Sequence, residues 1–179
     1  MTDMTFRMAD GADWTSVATL LKAADLPLDG AQEHLTGFLL AYHGAALVGV
    51  AGLERYDDTA LLRSVAVAEG RRSTGLGQEL VRRLLDQAYA TGITTVVLLT
   101  TTAEHFFPRF GFRRVERSLF PPALQDSAEV RGACPASAVA MLLDLKRPAT
   151  LVRSATETDL PAITRIYNQG IEDRSTLET

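Results

Sequence analysis

A chain of 179 residues has room for one domain with a substantial core, or for one domain and an appendage. Its 46% apolar and 22% charged residues suit a globular protein, and a formal net charge of −4 disfavours nucleic acid and acidic membrane surfaces as partners. One cysteine, Cys134, excludes an intramolecular disulfide, no apolar run approaches the roughly 18 residues of a membrane helix, and the N-terminus lacks the basic and apolar regions of a secretion signal; a cytoplasmic protein is expected.

Thr5 to Met8 reads as a short first strand. Asp10 or Asp13 can cap the helix after it, where Trp14, Val17, Leu20, Leu21 and Ala24 keep helical spacing. Pro27 and Gly30 break the chain, and Ala31 to Leu35 reads as a short second helix. Phe38 to Tyr42 and Ala46 to Tyr56 are apolar runs joined by His43-Gly44, a hairpin pattern. After the turn at Asp57-Asp58, Leu61 to Val67 is a further strand.

A helix is expected from Thr74 to about Thr91, with Leu76, Leu80, Leu84, Leu85 and Ala88 on one stripe. The β-branched run Thr94 to Thr100 reads as a buried strand. A short helix over Ala103 to Arg109 and strands over Phe112 to Arg117 and Ala138 to Leu145 complete the pattern. The order predicts an α/β fold, a mixed sheet flanked by helices on both faces.

The segment Arg7-Met8-Ala9-Asp10 through Leu20-Leu21 is echoed by Arg153-Ser154-Ala155-Thr156 through Ile166-Tyr167. Both copies read as strand, cap and amphipathic helix. The expected organisation is therefore one domain over residues 1–147, with residues 148–179 as a linker and the first strand and helix of a second domain of the same type.

Val65-Ala66-Val67 leads through Glu69-Gly70-Arg71-Arg72-Ser73-Thr74-Gly75-Leu76-Gly77 into the long helix. A helix start leaves N–H groups unpaired and carries partial positive charge, and glycines admit close approach of an anion. A plain strand-loop-helix connection with solvated arginines is the bland alternative. A Walker loop fails, since Leu76 stands where lysine is needed, and a dinucleotide fingerprint fails because Leu80 replaces its third glycine.

Arg72, Gly75 and Gly77 match Arg/Gln-x-x-Gly-x-Gly/Ala, motif A of the GNAT N-acetyltransferases, and Phe106-Phe107-Pro108-Arg109-Phe110-Gly111-Phe112 resembles motif B of that family. The resemblance covers residues 4 to 146. Leu62-Arg63-Ser64-Val65-Ala66-Val67 and Cys134-Pro135-Ala136-Ser137-Ala138 look like the N-acetylglutamate synthase branch, and more like acetyltransferases of arsenic-resistance operons. The tail from Leu151 resembles the opening of phosphinothricin-type acetyltransferases.

The resemblance implies central parallel strands that splay apart near Val65 and Val96. It also implies acetyl-CoA as acyl donor, held by Val65, Ala66, Val67, Arg71, Arg72, Ser73, Thr74, Gly75, Leu76, Gly77, Phe106 and Phe107. It implies a small-molecule amine acceptor, a homodimer as the form many members take, and no metal; His34, His43 and His105 lack ligand spacing.

Glu54, at a strand end, is the candidate base for the amine proton, or else an exposed carboxylate or a partner of Arg55 or Arg63. Arg63 would share a face with Val65 and Val67 by strand alternation. Its fork suits an acceptor's carboxylate or a structural ion pair. Ser64 offers a hydroxyl near the thioester, or caps a bulge. Phe107 stands where many members place a tyrosine that protonates the thiolate, which leaves Ser137 or water for that task. Cys134 could carry an acetyl group, though a packed loop cysteine explains it as well. The functional expectation is N-acetyl transfer to a small amino-acid-like amine, with arsenic resistance as a setting; the alternative is a non-catalytic acyl-CoA-binding regulatory module.

Overall fold

The computed structural model describes residues 4–145 and Thr164. The chain divides into the units Met1–Lys146 and Arg147–Thr179, and the strands and helices named below all belong to the first. The expected beginning of a second domain at residues 148–179 lies outside the described residues.

Seven strands form one sheet: β1 (Met4–Met8), β2 (Phe38–His43), β3 (Ala46–Tyr56), β4 (Thr59–Val67), β5 (Thr95–Thr100), β6 (Arg113–Val115) and β7 (Val139–Asp144). Their spatial order is β1-β2-β3-β4-β5-β7-β6. All pairs are antiparallel except β4 with β5. This is the mixed α/β sheet expected from the sequence, with a helix on each face.

Helix α2 (Leu76–Ala90) buries Leu76, Leu80, Val81, Leu84, Leu85 and Ala88 against Leu39, Ala51, Leu62, Val96 and Leu98 of one sheet face. Each such leucine contributes roughly 1.5–3 kcal/mol by leaving water. Helix α1 (Trp14–Ala23) packs Val17 and Leu21 on Phe38, Leu40, Val50 and Ala66 of the other face. Its start is fixed by the Asp10–Asp13 capping box, which satisfies amides that a helix start would otherwise orphan.

Several expected boundaries shift. The long helix starts at Leu76, because Ser73 and Gly75 both take left-handed backbone, φ 63° and 88°. Among the described residues, Ala31 to Leu35 is turn leading into a single 3-10 turn at Leu35–Gly37, and Ala103 to Arg109 keeps only the 3-10 turn Phe107–Phe110.

Two irregularities of β4 build the site. The first is a bulge. Val50 pairs with Ala66 and Gly52 with Arg63, so two β4 residues, Ser64 and Val65, oppose Ala51 alone. Ser64 absorbs the extra residue at φ 55°. The bulge reverses the alternation. Leu62, Val65 and Val67 face α2, while Arg63 and Ala66 face the opposite side. The expectation that Arg63 shares a face with Val65 and Val67 is therefore corrected.

The second irregularity is the splay. β4 pairs with β5 only at Thr59↔Thr95, Ala60↔Val96 and Leu61↔Val97. Beyond that point β4 continues along β3 to Val67, and β5 continues along β7 to Thr100. Val96 and Val97 are still paired, so on β5 the divergence starts at Leu98, two residues beyond the expected Val96, while on β4 the strands are already apart at Val65.

Candidate active site

The wedge between the diverging strands opens into a cleft of about 730 Å³. Val65, Ala66 and Val67 form one wall, and Thr102, Ala103, His105, Phe106, Phe107 and Arg109 form the other. Arg71, Arg72, Ser73, Gly75, Gly77 and Gln78 close one end, while Ala24 and Leu26 at the end of α1 reach it from the other face. Backbone groups on the open edge of β4 have no ladder partner on that side, and buried amides and carbonyls need one.

The turn before α2 is shaped for an anion. Gly75 is the N-cap and contributes no side chain, so no side-chain cap occupies the first amides of α2. Thr74 Oγ1 donates to the carbonyl of Arg71 at 2.7 Å, and Arg72 Nε donates to that of Val67 at 3.3 Å, which folds the loop back on β4. Arg71 Nη2 sits 2.9 Å from Nδ1 of His43, the last residue of β2.

Phe107 is buried and makes edge contacts with Phe106 at 5.1 Å and Phe112 at 5.8 Å. Arg109 covers the Phe106 ring at 4.7 Å. The aromatic cluster makes the far wall rigid and apolar, suited to an uncharged arm between a polar end and a reacting end.

On the α1 face lies a buried charge cluster. Glu54 is 0% exposed and Arg63 3%. Arg63 Nη1 donates to Glu54 Oε1 in a close ion pair. Tyr56 and Ser127 each donate a hydroxyl to Glu54 Oε2 at 2.9 Å, and His34 Nε2 lies 4.0 Å from the same oxygen. Burial and the Glu54 carboxylate push the Tyr56 phenol up to about 12, so it acts as a hydrogen-bond donor. Arg63 Nε donates to Ser64 Oγ at 3.1 Å and lies 3.1 Å from Glu129 Oε1; Nη2 reaches the Pro27 carbonyl at 3.4 Å.

A model of the Acetyltransferase (GNAT) family matches residues 9–112. The chain belongs to the GNAT acetyltransferase family. A curated relative, an uncharacterized N-acetyltransferase of Chlorobaculum tepidum, is 31% identical over 90 residues, covering 50% of this chain and 57% of its own. The chain thus spans less than two thirds of that relative's length. Among solved structures, N-acetylglutamate synthase of Neisseria gonorrhoeae, complexed with coenzyme A and N-acetyl-glutamate, superposes with a TM-score of 0.69 at 20% identity, over 82% of this chain and 36% of that one. Rv2747 of Mycobacterium tuberculosis, in complex with CoA, gives 0.64 at 24% identity, over 79% and 99%. A GNAT family acetyltransferase of Staphylococcus aureus gives 0.67 at 18%, over 80% and 100%. At these identities the likeness shows the fold.

In this GNAT chain the sequence-predicted residues separate into two groups. Val65, Ala66, Val67, Arg71, Arg72, Ser73, Gly75, Gly77, Phe106 and Phe107 line one cleft. Thr74 is tied to Arg71, and Leu76 is buried under α2, so neither lines it. Glu54, Arg63 and Ser64 gather instead in the buried cluster, with Arg63 bonded to both of the others. Ser137 is exposed and does not line the cleft. Cys134 is partly buried, and burial pushes its thiol up, which disfavours the thiolate a nucleophile needs.

Sequence reasoning missed Tyr56, Ser127 and Glu129 around Glu54 and Arg63, and Ala24, Leu26, Gln78, Thr102, Ala103, His105 and Arg109 in the cleft. Glu129 and Ser127 lie in an aperiodic stretch between Pro122 and Pro135, where nothing local marks them. His105 precedes the quoted aromatic motif and Arg109 lies within it, so both could have been read from it. Among the described residues no helix is long and apolar enough to cross a membrane.

Proposed function

We propose that this chain transfers the acetyl group of acetyl-CoA to the amine of a small, amino-acid-like acceptor. The observation that carries the reading is the wedge between β4 and β5 opening onto the Arg71–Gly77 turn. The residues fit coenzyme A: Arg72 and the first amides of α2 suit a pyrophosphate, the open β4 edge at Val65 to Val67 suits the pantetheine amides, and Phe106 and Phe107 suit its apolar stretches.

When bound, acetyl-CoA supplies an activated acyl carbon and a thiol leaving group. The chain's own residues orient and deprotonate. Arg63 stands two residues before Val65 on β4, on the other face of the sheet across the bulge at Ser64, and is the residue we assign to the acceptor's carboxylate. Glu54 is the base we assign to the amine proton, with Tyr56 and Ser127 stabilising its ionised oxygen. Ser64 fixes the Arg63 fork through its Oγ. Phe107 has no proton to give, so the thiolate takes its proton from water at the exposed mouth of the cleft or from His105 on its rim.

The resemblance to arsenic-resistance acetyltransferases adds arsenic-containing amino-acid analogues to the acceptors worth testing. We retain a cytoplasmic location, a homodimer, and residues 148–179 as the opening of a second GNAT-like domain, the last supported by the sequence repeat alone.

One observation favours a second reading. Glu54 and Arg63 bind each other rather than face the cleft, as they would in an acyl-CoA-binding regulatory module. Incubation with acetyl-CoA and a panel of amino acids and analogues, read as free thiol, separates the two. Thiol release with at least one acceptor, abolished in Gly75→Val, is expected; Gly75 sits at φ 88°, where a β-branched residue is strained by about 1–2 kcal/mol or more. Tight acetyl-CoA binding with no turnover on any acceptor would leave the binding module.

A further inference from the structure

The Arg63 cluster buries two carboxylates against one guanidinium, and the two are held unequally. Glu54 stands on β3 and takes three donors, from Arg63, Tyr56 and Ser127. Glu129 stands on the β6–β7 connection and meets Arg63 Nε at ion-pair distance, while the single Nε hydrogen is directed to Ser64 Oγ. Among the described residues no hydroxyl donates to the Glu129 carboxylate. Burial and the neighbouring Glu54 charge push that carboxyl up to about 7 against the pull of Arg63, so its ionised form is poorly stabilised.

The Nε/Nη2 edge of Arg63 thus meets Ser64 Oγ and one Glu129 oxygen at Nε, but no carboxylate that engages both of its nitrogens. Nη2 reaches only the Pro27 carbonyl, at 3.4 Å. A guanidinium edge of this kind suits a carboxylate that engages both nitrogens. A surface depression of about 450 Å³ is lined by Asp29, Gly30, Glu33 and Ala128 among others. Gly30 has φ 73°, and a Cβ added there would stand 3.3 Å from Arg63 Nη1 and 3.1 Å from the Ala128 methyl. Gly30, which lines the depression together with Ala128, thus packs against the Nη1 side of the buried guanidinium, and Ala128 adjoins Glu129 in the chain.

We propose that Glu129 is an internal ligand of the Arg63 fork that the carboxylate of an incoming acceptor displaces, which makes Glu129 a specificity-determining residue for carboxylate-bearing amines. Displacement exchanges one carboxylate for another on the same guanidinium, so the buried charge is unchanged once Glu129 swings outward past Ala128 or takes up a proton. The groups facing Glu129 are Arg63 from β4, Glu54 from β3 and Cys134 from its own connection. The inference rests on the proposed role of Arg63 as the anchor of the acceptor's carboxylate.

The test compares L-alanine with L-alaninamide, and L-glutamate with its α-amide, on the whole chain and on Glu129→Gln. Expected is a fall of roughly tenfold in KM for the acids in Glu129→Gln, about 1.4 kcal/mol, with the amides moved less than twofold. The ratio of acid to amide KM should rise with pH between 6 and 8 in the parent chain and stay flat in the variant. Equal shifts for acid and amide, or an unchanged acid KM, would overturn the proposal. Should Glu129→Gln fail to fold, Glu129→Asp, which withdraws the carboxylate by one methylene, is expected to give the same differential at smaller size. If the parent turns over no acceptor, acetyl transfer itself fails; calorimetric binding of L-glutamate and its α-amide to the CoA-loaded chain then decides the matter, tighter acid binding in Glu129→Gln supporting displacement and equal binding refuting it.

Discussion

Two guanidinium-carboxylate clusters flank α1, and they are built on opposite principles. At the sheet edge, Arg7 forks onto Asp13 with Nη1–Oδ2 at 2.7 Å and Nη2–Oδ1 at 2.5 Å, and the Tyr42 hydroxyl donates to Oδ1 at 3.1 Å. One cation meets one buried carboxylate, the exposed Asp10 stands 3.9 Å from Nη1 as a second, and the Arg7 side chain stays 47% exposed. At the sheet centre, Arg63 meets both Glu54 and Glu129 with almost no exposure. The exposed cluster fastens the start of α1 to β1 and β2, with its second carboxylate left in water. The buried one holds two carboxylates on one guanidinium out of water, the arrangement from which we propose that an acceptor's carboxylate displaces Glu129.

The largest effect should come from Arg63→Met. It leaves two carboxylates buried without a cation, a loss of about 3–5 kcal/mol at neutral pH. Urea unfolding should show the deficit shrinking as pH falls toward 4, because the carboxyls can then neutralise. Arg7→Met leaves Asp13 beside Tyr42 and near solvent, so its midpoint should move much less. Comparable losses in the two variants would mean that the clusters do not differ in kind.

Next in size is the pH dependence of stability. The folded Glu129 carboxyl lies at about 7, above its ordinary value. Its contribution is fully present below the unfolded value and is lost as pH rises through the folded one, so the parent should weaken relative to Glu129→Gln by on the order of 1–3 kcal/mol between about pH 4.5 and 7. Asp13 behaves inversely. The Arg7 hydrogen bonds hold its carboxyl well below the usual range, so its contribution exists above the ordinary carboxylate value and is lost as pH falls below it. The difference between parent and Asp13→Asn should therefore close only in acid. Denaturation curves across pH 3 to 8 check both signs.

This contrast also marks how far the sequence could be read. The strands follow from β-branched and apolar runs, and α2 follows from the Leu76, Leu80, Leu84 stripe, because both depend on local periodicity. The cleft that we assign to coenzyme A follows from a contiguous loop and an aromatic motif, and most of the residues expected there line it. The charge cluster was half legible. Arg63 stood out as a charge on an apolar strand, yet alternation put it on the wrong face, since nothing in Arg63-Ser64-Val65 announces a bulge at Ser64. Glu129 was silent, because its contact to Arg63 spans a connection without period and is made only in three dimensions. The same holds for Ser127, whose bond to Glu54 joins β3 to that connection.

The smallest effect, that of Tyr42→Phe, is best set against its buried counterpart, Tyr56→Phe. Each phenol donates to a carboxylate, Tyr42 to Asp13 at 3.1 Å and Tyr56 to Glu54 at 2.9 Å. Tyr56→Phe removes a donor from a fully buried oxygen and should cost about 1.5–3 kcal/mol, the range for a hydrogen bond to a charged group. Tyr42→Phe removes one from an oxygen that Arg7 already serves beside solvent, and should cost less than about 1 kcal/mol. Kinetics separates them further. If Glu54 takes the amine proton, Tyr56→Phe loosens the carboxylate that must receive it, and kcat should fall with the acceptor KM little changed. Tyr42→Phe, whose phenol serves Asp13 instead, should leave kcat in place. A kcat unmoved in both variants would assign Glu54 to holding Arg63 rather than to the proton.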